Sequence, residues 1–142
     1  MATLQEVDMS NRTIAEQYFQ AVNRGDITAA VACFGPGAEF IGPMGPIPVP
    51  VGLKAFLQGY EDSFPGACFE VTNVVEGGDQ VAVEGIWSGK HTGVLQLPDG
   101  RKIPATHREV RAPFATIFRV RDGKIAAHRG YWDLAGFMAQ LS

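Results

Sequence analysis

Cysteine is scarce in this chain. Cys33 and Cys68 are the only two among 142 residues, and neither stands in a CxxC pair or beside histidine. A disulfide framework and a thiolate metal site are therefore both disfavoured, and two free thiols in a cytoplasmic protein are expected. Charge of one sign is lacking too. Twelve Lys and Arg face fifteen Asp and Glu, a net charge of -3, which leaves no basic face for phosphate and argues against a nucleic-acid partner. Apolar runs are short of the roughly 20 residues that span a membrane. The opening MATLQEVDMSN has neither the basic start nor the apolar stretch of a secretion signal, so no membrane partner is expected. The three histidines, His91, His107 and His128, lack metal-ligand spacing. No glycine-rich phosphate cradle occurs, and no cofactor is expected.

What the chain does have is core-forming material. Hydrophobic residues make up 46% and charged residues 19%, enough for one globular domain over 1–142, with 1–10 as a frayed arm. Ile14, Tyr18 and Val22 recur every four residues with Ala15 and Phe19 beside them, one face of an amphipathic helix. Ser10 and Thr13 are both suitable N-caps, and Gly25 suits the left-handed stop. Asp26 N-caps a second helix, ITAAVACF. A strand AEFIG and a proline-rich loop PMGPIPVPVG follow, then a third helix, LKAFLQGYEDSF, with Leu53, Phe56, Leu57 and Tyr60 on one side. From Cys68 the texture is that of strands. CFEVTNVVE and DQVAVEGIWSG join at Gly77-Gly78, another turn falls at Pro98-Asp99-Gly100, and a last hairpin turns at Asp122-Gly123. Helices first and antiparallel strands after is an α+β order.

Three segments carry a resemblance. EQYFQAVNRGDITAAVACF resembles the first two helices of the nuclear transport factor 2-like superfamily. GKHTGVLQLPDGRKIP resembles a hairpin of the SnoaL-like polyketide cyclases, and FRVRDGKIAAHRGYWDLAGFMAQLS resembles their closing strand and tail. The resemblance implies a cone-shaped, barrel-like α+β fold, with a curved antiparallel sheet wrapped around N-terminal helices and an internal apolar pocket. It also implies a homodimer formed through the convex sheet face. The chemistry it implies is cofactor-free acid/base work on a small hydrophobic ligand: aldol cyclisation, ketosteroid isomerase-like enolisation, or epoxide hydrolase-like activation of water. Fold alone does not choose among these.

The usual acids of such sites are missing. The positions that resemble them hold Gly42, Thr116 and Gly130. Either the chain binds without turnover, or other groups do the work. His128 shares the strand face of Gly130 and Trp132 and is a candidate general base, with a surface or dimer-face histidine as the alternative. His107 opens the strand-like THREVRAP and is a second candidate base if it faces inward. Tyr18 matches the tyrosine that donates to the substrate oxygen, or it simply packs in the core. His91, in GKHTG, fits a role in shaping the hairpin. Asp133 suits an N-cap for LAGFMAQL better than catalysis. Arg101, Arg108, Glu109 and Arg111 read as the solvated face of a strand. The pocket is expected from Phe40, Met44, Phe56, Trp87, Phe114, Thr116, Phe118 and Trp132, under the proline-rich loop as a lid. So aromatic a lining favours an aromatic or polycyclic ligand.

Overall fold

The computed structural model of the protein describes residues 10–97 and 99–142. Residues 1–9 of the expected arm, and Pro98 of the expected turn, lie outside them. Ser10 is the N-cap of α1 (Asn11–Asn23), its Oγ accepting from the Thr13 N–H at 3.1 Å. The helix buries Ile14, Ala15, Tyr18, Phe19 and Ala21, the stripe its periodicity foretells. Asp26 caps α2 (Ile27–Ala32) through the Ala29 N–H at 3.0 Å. That helix ends before Phe34 because Phe34 already pairs with Ile125 as the first residue of β1 (Phe34–Gly42). A register shift between Phe34 and Glu39 takes up Gly35, Pro36 and Gly37, so a stretch that reads as a break is a bulged strand. β2 (Gly45–Pro46) folds back on the end of β1, and α3 (Val51–Ser63) follows.

The remaining strands are β3 (Cys68–Gly77), β4 (Gln80–Lys90), β7 (Glu109–Arg121) and β8 (Lys124–Trp132), with β5 (Leu95–Gln96) and β6 (Lys102–Ile103) as a separate ribbon. The main sheet runs β2-β1-β8-β7-β4-β3 and is open. Its pairs are antiparallel except β1 with β8, which is parallel. The sheet is therefore mixed: a parallel neighbour needs a long crossover, and nearly the whole chain lies between β1 and β8. Along β7 every second residue from Val110 to Val120 is buried, the period of a strand with one covered face. Asp122 and Gly123 both take positive φ, 52° and 73°, the geometry of a tight hairpin turn. At Gly85 a Cβ would run into the Glu70 carbonyl beside the bulge at Val71–Asn73, so the curvature there demands glycine.

Helix α1 crosses β3, β4, β7 and β8 on the concave side. α4 (Leu134–Gln140), capped by Asp133 through the Gly136 N–H at 2.9 Å, packs on β7. Two apolar clusters result, one under α1 and one around Phe64, Leu95, Val110 and Phe137, with Trp87 and Trp132 packed against both. The cavity lies where they meet.

Candidate functional site

The concave face of the sheet, α1 and α3 enclose a cavity of about 120 Å³. Its walls are aromatic: Phe40 from β1, Phe56 and Tyr60 from α3, Trp87 from β4, Phe114 from β7 and Trp132 from β8. On a scale where a dry apolar cavity of about 150 Å³ holds benzene, the enclosed space suits one ring. Among the described residues no lysine or arginine lines it, and its only carboxylate is Glu61, at the end of α3.

His128 lines the cavity from β8. It is 6% exposed. Its imidazole stacks on Phe40, with ring centres 4.0 Å apart and planes 9° from parallel, and meets Tyr18 and Phe118 edge-on at 5.6 and 5.1 Å. The register puts it there, since Phe40, His128 and Phe118 are cross-strand partners on β1, β8 and β7. Burial pushes its pKa down from the usual histidine range to about 3, so the ring is neutral at ordinary pH. Its Nδ1 is buried without a hydrogen-bond partner, which is costly unless something arrives to fill it. An ordinary imidazole titrates near neutrality. The apolar surroundings instead keep this ring neutral far into acid.

The positions expected to hold acids come together. Thr116 and Gly130 are direct partners across β7 and β8, Gly42 ends β1 two residues beyond His128's partner Phe40, and all three line the cavity. Gly130 is more than an omission. A Cβ there would stand 3.1 Å from His128 Cε1 and 3.8 Å from Nδ1. The imidazole leans close to the space that a side chain at 130 would take, so a larger residue there would press on the ring.

Tyr60 is the residue that sequence reasoning passed over. Its ring lines the cavity, its hydroxyl is buried with no partner, and burial pushes its pKa up to about 12. It therefore stays a protonated donor. A signal was present, since Tyr60 follows Phe56 by one helical turn on the apolar side of α3. Tyr18 lines the same cavity, with its pKa raised by burial first and by nearby Cys33 second. Phe137 on α4 closes one end against Trp132 and Trp87.

Other expectations need correction. Phe118 is fully buried behind Tyr18 and His128 and does not line the cavity. Met44 lines a smaller neighbouring pocket of about 50 Å³. His107 is exposed and precedes β7 with φ 59°, a conformation incompatible with a strand, so it never reaches the cavity. What places it outward is His91. The wholly buried His91 ring stacks on Phe64, its Nδ1 accepts from the Thr106 N–H at 3.2 Å, and its carbonyl accepts from the His107 N–H at 2.8 Å. Arg101, Arg108, Glu109 and Arg111 are exposed. Among the described residues no group of three or more His, Cys, Asp or Glu is arranged to hold a metal ion, and no helix is long and apolar enough to cross a membrane.

The chain is an α+β cone with an aromatic cavity against its concave sheet, and the comparisons with known proteins give the family of that architecture. Residues 15–128 match the family model of the SnoaL-like domain, and the chain belongs to that family. None of the curated proteins matches the sequence. Among solved structures, AclR of Streptomyces galilaeus, described as a hydroxylase, is 18% identical with a TM-score of 0.79, covering 92% of this chain and 94% of its own. A protein of Jannaschia described as a SnoaL-like polyketide cyclase is 24% identical with a TM-score of 0.78, covering 93% and 91%. A protein of Catenulispora acidiphila with a ketosteroid isomerase-like fold, in complex with trimethylamine, is 18% identical with a TM-score of 0.74, covering 89% and 90%. Likeness at these identities establishes the fold and leaves the reaction open.

Proposed function

We propose that the protein binds a hydrophobic cyclic carbonyl compound, one ring deep, and moves a proton at the carbon beside the carbonyl, as aldol cyclisation or isomerisation requires. The observation that carries this reading is that two residues lining one apolar cavity, Tyr60 and His128, each hold a buried side-chain polar atom without a hydrogen-bond partner, Oη and Nδ1. A hydroxyl held protonated by burial donates to a carbonyl oxygen, and Tyr18 is a second donor of the same kind. A neutral imidazole nitrogen accepts the proton. Its low pKa makes it a weak base in the empty cavity, and the enolate formed beside it would raise that pKa as the proton transfers. No cofactor enters this scheme.

The test is deuterium exchange at the α-carbon of 2-cyclohexenone in D2O, followed by NMR. Exchange above the buffer rate by the protein, lost by a hundredfold or more in His128→Ala, is the expected outcome. Equal rates in both proteins overturn the catalytic role.

One observation favours a second reading, of a binding or accessory module that turns nothing over. Gly42, Thr116 and Gly130 line the cavity where acids would stand, and exchange no faster than buffer would favour it. Under either reading the protein works as a homodimer. The outward face of the central strands carries Ile86 opposite Pro113, Tyr131 opposite Ala115, and Ile117, with Glu84 and Arg129 as charged register partners of Ala115 and Ile117, a mixed apolar and charged face that suits a second copy.

A further inference from the structure

The cavity has room for about one ring, and a second space adjoins it at the β1–β2 turn. There a pocket of about 50 Å³ lies under Pro43, Met44, Pro46 and Ile47. Gly42, Phe56 and Trp132 wall both spaces. Gly42 follows Phe40 on the inward face of β1, and a Cβ built on it would meet no atom within 4 Å. Its φ is not positive, so the backbone does not demand glycine here. With no side chain at this shared wall, the space beside Gly42 is unfilled.

We infer that the smaller pocket is a second subsite, which takes a short unbranched alkyl group of two or three carbons borne by the ring in the main cavity, with Gly42 as the opening between them. This rests on the reading of the main cavity as a ligand site. The smaller pocket is walled by glycine, proline, methionine, isoleucine, phenylalanine and tryptophan, so the group it takes is apolar. Its volume is about a third of one that holds benzene, which sets the two or three carbons. Gly42 and Met44 then determine specificity: the first sets access and the second sets depth.

Calorimetric titration with acetophenone and 4'-propylacetophenone tests the assignment. Each buried methylene contributes about fourfold in affinity, so the protein should bind the propyl ketone at least tenfold more tightly. In Gly42→Val that ratio should fall below about threefold, because the new side chain fills the passage. In Met44→Ala the best chain length should move from propyl toward pentyl. A propyl preference unchanged in Gly42→Val overturns the inference, as does a chain-length optimum unmoved in Met44→Ala. Binding of both ketones without any propyl preference sinks the subsite while leaving the main cavity as a ligand site. Binding of neither sinks both.

Discussion

At the scale of the residue, the molecule turns on one imidazole kept neutral by its surroundings. Folding moves His128 from the ordinary histidine pKa of 6.5 to about 3, and the consequence for stability has a fixed sign. Above pH 6.5 the ring is neutral in both states and costs nothing. Below it the unfolded chain binds a proton that the folded chain refuses, so stability falls as pH drops toward 3. At pH 4.5 the loss due to His128 is about 2 to 3 kcal/mol. His128→Phe keeps an aromatic ring between Phe40, Tyr18 and Phe118 and abolishes this titration. Urea unfolding of both proteins at pH 7.5 and 4.5 should show the wild type losing that much more than the variant. Equal acid sensitivity would contradict the burial argument. The buried His91 shifts in the same direction, and comparison with the variant cancels its share.

At the scale of the element, much was legible in the sequence. Period-four apolar residues marked α1, Asp26 and Asp133 announced the helices they cap, and Asp122-Gly123 marked the turn between β7 and β8. The face shared by His128, Gly130 and Trp132 followed from strand alternation alone. Less legible was whatever depends on a distant partner. The Gly35–Gly37 stretch reads as a break because nothing local reveals the pairing of Phe34 with Ile125. His107 reads as a strand residue because nothing local reveals the hold of His91 on Thr106 and on the His107 amide. Tyr60 reads as core because only the assembled cavity shows that its hydroxyl has no partner. The sheet also carries the dimer proposal, in the outward stripe across β4, β7 and β8, with Tyr131 57% exposed. Sedimentation equilibrium at micromolar concentration should return twice the 15.3 kDa chain mass, and Ile117→Glu should lower it toward the monomer. A wild-type mass of one chain would refute the dimer.

At the scale of the whole molecule, the cavity is almost free of carboxylates, with Glu61 alone lining it among the described residues. The positions expected from the resemblance to hold acids are a row of small residues, Gly42, Thr116 and Gly130, across three neighbouring strands, and the imidazole of His128 leans over the last of them. Cavity size and polarity then limit the ligand more tightly than aromatic content does: one ring inside, any larger body reaching outward. The most direct measurement is the 15N resonance of His128 Nδ1 at pH 7, recorded with and without 2-cyclohexenone. The account predicts a neutral ring whose Nδ1 signal shifts on titration with the ketone while the signals of His91 and His107 stay in place. A His128 signal unmoved at saturating ketone, or one already that of a charged imidazolium in the free protein, would contradict it.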